Sequence, residues 1–182
     1  MNKNEDAQLV MITLEGDLNG FEVLVSKYEG PVFNAAYRIL GDYEQARDAA
    51  QTAFIKAFKQ LKNYNSEYKF FSWIYRITIN ESINLAKRQG NSRSKAYMPI
   101  TVAATPSPED KMRRNEINKS IQDALNQMDP KYRVMIVLKH VAECSYREIS
   151  QVLDLPEKVV KSRLFRARKV MRKILLRGDH SG

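Results

Sequence analysis

The stretch Ser145-Tyr-Arg-Glu-Ile-Ser-Gln-Val-Leu-Asp-Leu-Pro156, followed by Val160-Lys-Ser-Arg-Leu-Phe-Arg-Ala-Arg168, decides the fold of the C-terminal part of this chain. Ser145 and Glu148 stand three apart, the spacing of a capping box, so a helix starts at Ser145. Tyr146, Ile149, Val152 and Leu153 give that helix an inward face. Asp154-Leu155-Pro156 makes a short turn. The next helix, about Glu157 to Arg177, has its own buried stripe in Val160, Leu164, Ala167 and Met171. Two short helices joined by a tight turn form a helix-turn-helix.

The other face of the last helix is basic. Lys158, Lys161, Arg163, Arg166, Arg168, Lys169, Arg172, Lys173 and Arg177 are opposed only by Glu157, which sits where an acid suits the helix dipole. In a helix-turn-helix the second helix enters the major groove and its early residues meet base edges. Lys161, Ser162, Phe165 and Arg166 lie near that end. Arginine takes guanine bidentately, serine bonds either way, and phenylalanine meets a thymine methyl. The remaining cations, Arg163 and Lys169 among them, suit phosphates. A basic face alone is also what a solvated bundle helix carries. The capped helix and turn in front of this one favour duplex DNA.

The composition fits that reading. Apolar residues make up 43% of the 182, too many for a disordered chain. The net charge of +9 and the pI near 9.6 favour a polyanionic partner. One cysteine, Cys144, permits no internal disulfide, and with only His140 and His180 beside it no zinc site is expected. No metal or cofactor motif is present. The polar N-terminus lacks a signal-peptide core and no run is long enough to span a bilayer, so the chain reads as cytoplasmic, without membrane insertion.

The fold class expected is all-α: two small helical domains on a flexible linker, the C-terminal one a helix-turn-helix. The first domain is placed at 1–88, the linker at 89–112 and the second domain at 113–182. The linker is rich in Ser, Thr, Pro and small residues and has no sustained period. The first domain should hold four helices: Glu5–Glu15 with Leu9, Ile12 and Val10 inward; Asn19–Leu40, which Pro31 kinks or splits; one capped by Asp42 and lined by Ala46, Ala49, Ala50, Ala53, Phe54, Ala57 and Phe58; and Phe70–Arg88. In the second domain a helix from Arg113 to Met128 precedes one started by Asp129-Pro130 and running to Val141.

The helix at 70–88 is crowded with aromatics at its start and basic at its end. Tyr64 and Tyr68 precede it, Phe71, Ile74 and Ile77 keep core spacing, and Trp73 and Tyr75 fall partly off that stripe. Asn80, Asn84, Lys87 and Arg88 form a polar ridge. Aromatic groups beside cations suit single-stranded DNA, whose bases stack on rings. A base drawn out of a duplex needs a preformed pocket to hold it.

Three stretches, in order, resemble the extracytoplasmic-function group of bacterial sigma factors: Asp48-Ala-Ala-Gln-Thr-Ala-Phe-Ile-Lys-Ala-Phe58, Phe71-Ser-Trp-Ile-Tyr-Arg-Ile77, and the helix-turn-helix above. The resemblance implies a transcription initiation factor whose partners are core RNA polymerase, promoter DNA and an anti-sigma factor. It implies polymerase contact at Asp48, Gln51, Thr52 and Ile55. It implies minus-ten recognition and melting by the loop 64–69 with Tyr64, Tyr68, Trp73, Asn80, Asn84, Lys87 and Arg88. It implies minus-35 recognition by Lys161, Ser162, Arg163, Phe165, Arg166 and Lys169, and a polymerase-flap contact around Val134, Ile136 and Leu138. The chain departs from the family at Lys158-Val159, where a Gly-Thr pair is common, and at Thr52, where an acid is usual. A stand-alone helix-turn-helix repressor would leave the first domain without work. An enzyme finds no carboxylate cluster, nucleophile–base pair or phosphate loop.

Overall fold

The computed structural model describes residues 3–88 and 108–178, with side chains over 4–88 and 115–177. Eight α-helices run through the described residues, without a strand. They are α1 (Lys3–Leu14), α2 (Asn19–Leu40), α3 (Tyr43–Lys59), α4 (Phe70–Arg88), α5 (Pro108–Gln127), α6 (Pro130–Ile136), α7 (Tyr146–Leu153) and α8 (Glu157–Gly178). A single 3-10 turn, Leu61–Asn63, follows α3, and a π-helical segment, Val137–Val141, continues α6. Most of the expected linker lies outside the described residues.

Helices α2, α3 and α4 pack on one another, and α1 lies along α2. Their shared core holds Leu24, Tyr28, Val32, Phe70 and Ile74, all fully buried. The alanines of α3 face inward, which lets α3 lie close to its neighbours. Gly20 allows α1 equally close, because a Cβ there would stand 2.5 Å from the Leu9 carbonyl. Asp6 fixes the register of α1. It is 1% exposed and accepts hydrogen bonds from Lys27 Nζ and Tyr28 Oη, both at 2.6 Å. A buried carboxylate is tolerable only with such partners. Burial and the same carboxylate push the Tyr28 hydroxyl pKa far up.

In the second block α5, α6, α7 and α8 enclose Leu125, Met135, Leu138, Ile149, Val160 and Leu164. Asp129 caps α6 through the Lys131 N–H at 3.0 Å, with Pro130 at its first position. The capping box at α7 is complete: Ser145 Oγ accepts from the Glu148 N–H, and Glu148 Oε2 accepts from the Ser145 N–H at 2.8 Å. Asp154 ends α7 in the left-handed region at φ 53°.

The two blocks pack together. Helix α2 meets α5, α6 and the π segment, and α4 meets α7. Arg38 donates to Gln122 Oε1 and Asn118 Oδ1, and Arg133 donates to the Ile39 carbonyl. Gly41 ends α2 at φ 73°, and a Cβ there would run into Asn126. The turn and the close approach of the second block both require glycine at that position.

Several local expectations change. Pro31 lies inside an unbroken α2. Tyr75 is buried, its hydroxyl donating to the Pro31 carbonyl at 3.1 Å. Proline carries no N–H, but its carbonyl still takes a donor. Ile12 turns outward, and Val10 fills the core in its place. Val134, Ile136 and Leu138, expected on a flap-contacting face, are buried in the polymerase-free chain, where α2 packs on α6 and the π segment. An Asp6→Ala variant should lose about 1.5–3 kcal/mol of unfolding free energy, since charged hydrogen bonds are of that size. Urea denaturation measures it, and an unchanged midpoint would show that α1 is held by packing alone.

Candidate nucleic-acid interface

Helix α8 buries Val160, Leu164 and Ala167 against α5–α7. That orientation turns Lys161, Ser162, Phe165, Arg166 and Lys169 outward on one exposed surface. Phe165 is 60% exposed among these polar and charged neighbours. The Lys169 ammonium lies over it at 4.7 Å. Arg163 does not join this face. It is half-buried and roughly 130° around the helix from the centre of the surface, as 100° per residue dictates.

Neighbouring groups preset the face. Tyr146, at the start of α7, has Lys161 over its ring at 5.8 Å and Lys139 at 5.3 Å. Lys139 also donates to the Cys144 carbonyl at 2.9 Å. Near the middle of α8, Arg168 Nε donates to His140 Nε2 at 3.4 Å. Burial first, then Arg168 and Lys139, push the His140 pKa down, which leaves Nε2 a lone pair to accept with. Cys144 is buried and its thiol is pushed up to about 12, so it is inert packing.

Helix α4 presents a second face. Trp73, Asn80, Asn84 and Lys87 recur at spacings of three, four and seven and share one ridge, with Arg88 at its edge. Asn80, Asn84, Lys87 and Arg88 are exposed. Arg76 stands on the same ridge, three residues after Trp73 and four before Asn80. Sequence reading passed over it although the helical spacing pointed to it. Tyr64 is half-buried, its ring 5.7 Å from Phe70 and 5.5 Å from Trp73, and its hydroxyl donates to the Tyr68 carbonyl at 2.7 Å. Burial, then the Asp6 charge, push its hydroxyl pKa up to about 12. Tyr64 therefore shapes the loop, while Tyr68 is 45% exposed and free to stack.

A third face lies on α3. Asp48, Gln51, Thr52 and Ile55 follow one stripe, and Ile55 is 55% exposed. Phe58 extends it. Expected inside, it is 44% exposed, with Phe21 edge-on to its ring at 5.1 Å. An acid and an amide stand there beside two exposed apolar groups.

Two family models match the chain: Sigma-70 region 2 over residues 24–92 and Sigma-70 region 4 over residues 118–171. The ECF RNA polymerase sigma factor SigW of Bacillus subtilis is 32% identical over 174 residues, covering 88% of this chain and 91% of its own. The RNA polymerase sigma-H factor of Pseudomonas aeruginosa is 31% identical over 185 residues, 96% of each chain. The chain belongs to the ECF sigma factors of bacterial RNA polymerase. The fold of this sigma factor is shared by the structure of CnrH in complex with the cytosolic domain of CnrY (TM-score 0.73, 23% identity, 99% of this chain and 98% of that one). It is also shared by RpoE in complex with the anti-sigma factor NepR from Bartonella quintana (TM-score 0.67, 19% identity, 85% and 96%). The sigma factor thus directs promoter-specific transcription initiation, and its region 4 match contains the helix-turn-helix that holds α8.

Glu148 supports that helix pair. Burial pushes its carboxyl pKa up, but the Lys69 ammonium and the Ser145 N–H and hydroxyl outweigh burial and hold it below the ordinary 4.5. A depressed carboxyl stabilises the fold above its unfolded pKa and loses that contribution as pH falls through the folded one. The stability advantage of wild type over Glu148→Gln should therefore be present at about pH 6 and shrink once the pH passes below 4.5. Thermal melts of both proteins across that range check it. A gap that stays constant with pH would remove the charged form from the account.

Proposed function

We propose that the three faces divide the work of initiation. The α8 surface, with Lys161, Ser162, Phe165, Arg166 and Lys169, reads the minus-35 element in the duplex. The α4 ridge, with Tyr68, Trp73, Arg76, Asn80, Asn84, Lys87 and Arg88, takes the opened minus-ten strand. Lys69 and Tyr64 set the loop at its start. The α3 stripe of Asp48, Gln51, Thr52, Ile55 and Phe58 docks on core polymerase. Arg163, on the flank of α8 away from this surface, is assigned to phosphate rather than to a base. The observation that carries this reading is the outward set on α8, held behind a complete capping box.

Charge distribution supports it. Helix α8 has nine cations against one acid, nearly the whole +9 of the chain. Phosphate contacts from such a helix give affinity that falls steeply with salt. A stand-alone repressor would need no α3 stripe and no α4 ridge. We read the protein as a binding factor that works in the cytoplasm and leaves the chemistry to polymerase. No helix among the described residues is long and apolar enough to cross a membrane. The solved neighbours were captured with CnrY and with the anti-sigma factor NepR, and we extend to this chain an anti-sigma partner.

Run-off transcription with purified core polymerase on genomic promoter fragments tests the reading. Arg166→Ala should lower promoter affinity by about five- to a hundredfold, the cost of a lost bidentate base contact. Asp48→Ala should weaken the response to core polymerase and leave duplex binding by the protein alone unchanged. No transcript on any template, with tight duplex binding in the absence of polymerase, would establish a repressor instead.

A further inference from the structure

A groove separate from the three faces lies between α2 on one side and α5, α6, the π segment and α8 on the other. Its volume is about 800 Å³, within the range of small-molecule sites. Ile121, Leu125, Ile136, Val141 and Met171 form its floor, buried or half-buried. Arg168 and Arg172 stand exposed at its rim, and Arg38 lies on the α2 side. No acid lines the groove among the described residues, and no phenylalanine, tyrosine or tryptophan does.

The rim suits a carboxylate. Arg168 uses Nε alone, donating to His140 Nε2 at 3.4 Å, and that bond orients the guanidinium. Its two Nη groups meet no acid in the groove, and they form the fork that takes a carboxylate through two parallel hydrogen bonds. Arg172 stands one turn further along α8. Arg38 donates to Gln122 and Asn118 and adds positive potential from the other side. The floor suits an acyl chain. It offers aliphatic groups and one thioether, so a nucleotide base would find no ring to stack on. A small inorganic anion would leave the floor unused. Each methylene of an acyl chain laid there adds to affinity.

We propose that this groove binds a free fatty acid, with the carboxylate on Arg168 and Arg172 and the chain along the floor. The site is concave and a bilayer is flat, so the occupant is a single free chain rather than a membrane surface. Bound there, it touches α2 and the second block at once, because Asn34 and Arg38 line the same groove. A ligand that binds only the folded chain raises Tm as its concentration rises.

The probe is decanoate below its micellar concentration, titrated into the full chain with isotope-labelled methionine methyls. Met171 lies on the floor and reports the site by its NMR resonance, which Met171→Leu assigns. Decanoate should shift that resonance and raise Tm. Hexanoate, four methylenes shorter, should bind more weakly by about tenfold or more. Decanol, of equal chain length but uncharged, should also lose about tenfold or more. Arg168→Gln with Arg172→Gln should weaken decanoate by the same factor and leave decanol unchanged. Both positions are exposed, and far-UV circular dichroism checks the fold. If that variant loses helix, the comparison of decanoate with decanol decides. Acetate should leave Met171 unmoved, and a shift equal to that from decanoate would reduce the groove to an anion site and overturn the proposal. An unmoved Met171 methyl at millimolar decanoate, or equal binding of decanol, would overturn it too. So would binding to phosphatidylglycerol vesicles without binding to decanoate.

Discussion

Burying an unpaired ammonium or guanidinium costs several kcal/mol, and α8 carries nine cations along 22 residues. The helix can lie on its neighbours only through Val160, Leu164 and Ala167. That constraint fixes the rotation of α8, and the rotation fixes which residues reach outward. Everything functional on the second block follows from it. The capping box and the turn at Asp154 have the simpler task of setting where α8 begins and how it leaves α7.

The first block obeys a different constraint. Its surface is close to charge-balanced, and its helices pack tightly through alanines and Gly20. The carboxylate it buries, Asp6, is paired with Lys27 and Tyr28. The alanines of α3 take its inner side, and Ile55 and Phe58 lie on the outer one. Between the blocks, arginines donate to amides and carbonyls, and Gly41 admits Asn126. Such contacts are directional, and they stand beside apolar packing, because one hydrophobic core runs through both blocks.

The helix-turn-helix was legible because every local signal agreed: cap, turn, apolar stripe and basic face all coincide within residues 145–168. The start of α6 at Asp129-Pro130 was legible for the same reason. Helical spacing misled where a residue fits either side. Phe58 and Ile12 are apolar and in phase with a core that had no space for them. Val134, Ile136 and Leu138 were given a docking role by the family resemblance, which does not say which surface covers a helix. Arg163 joined the minus-35 set through the family resemblance, although helical spacing already set it apart from Lys161, Ser162, Phe165 and Arg166. The seat of α7 on α4 was invisible in the sequence. Its ion pairs join residues 79 and 78 positions apart, and no local pattern encodes such a pairing.

The central claim is that one chain reads two DNA elements with two helices, α8 on the duplex and α4 on the opened strand. Site-specific photocrosslinking in the complex with core polymerase tests it most directly, with a photoreactive residue placed at position 165 or at position 80. The account predicts crosslinks from 165 to the minus-35 duplex, crosslinks from 80 to the strand-separated minus-ten segment, and loss of the second set when polymerase is withheld. Crosslinks from both positions to one and the same duplex segment, independent of polymerase, would contradict it.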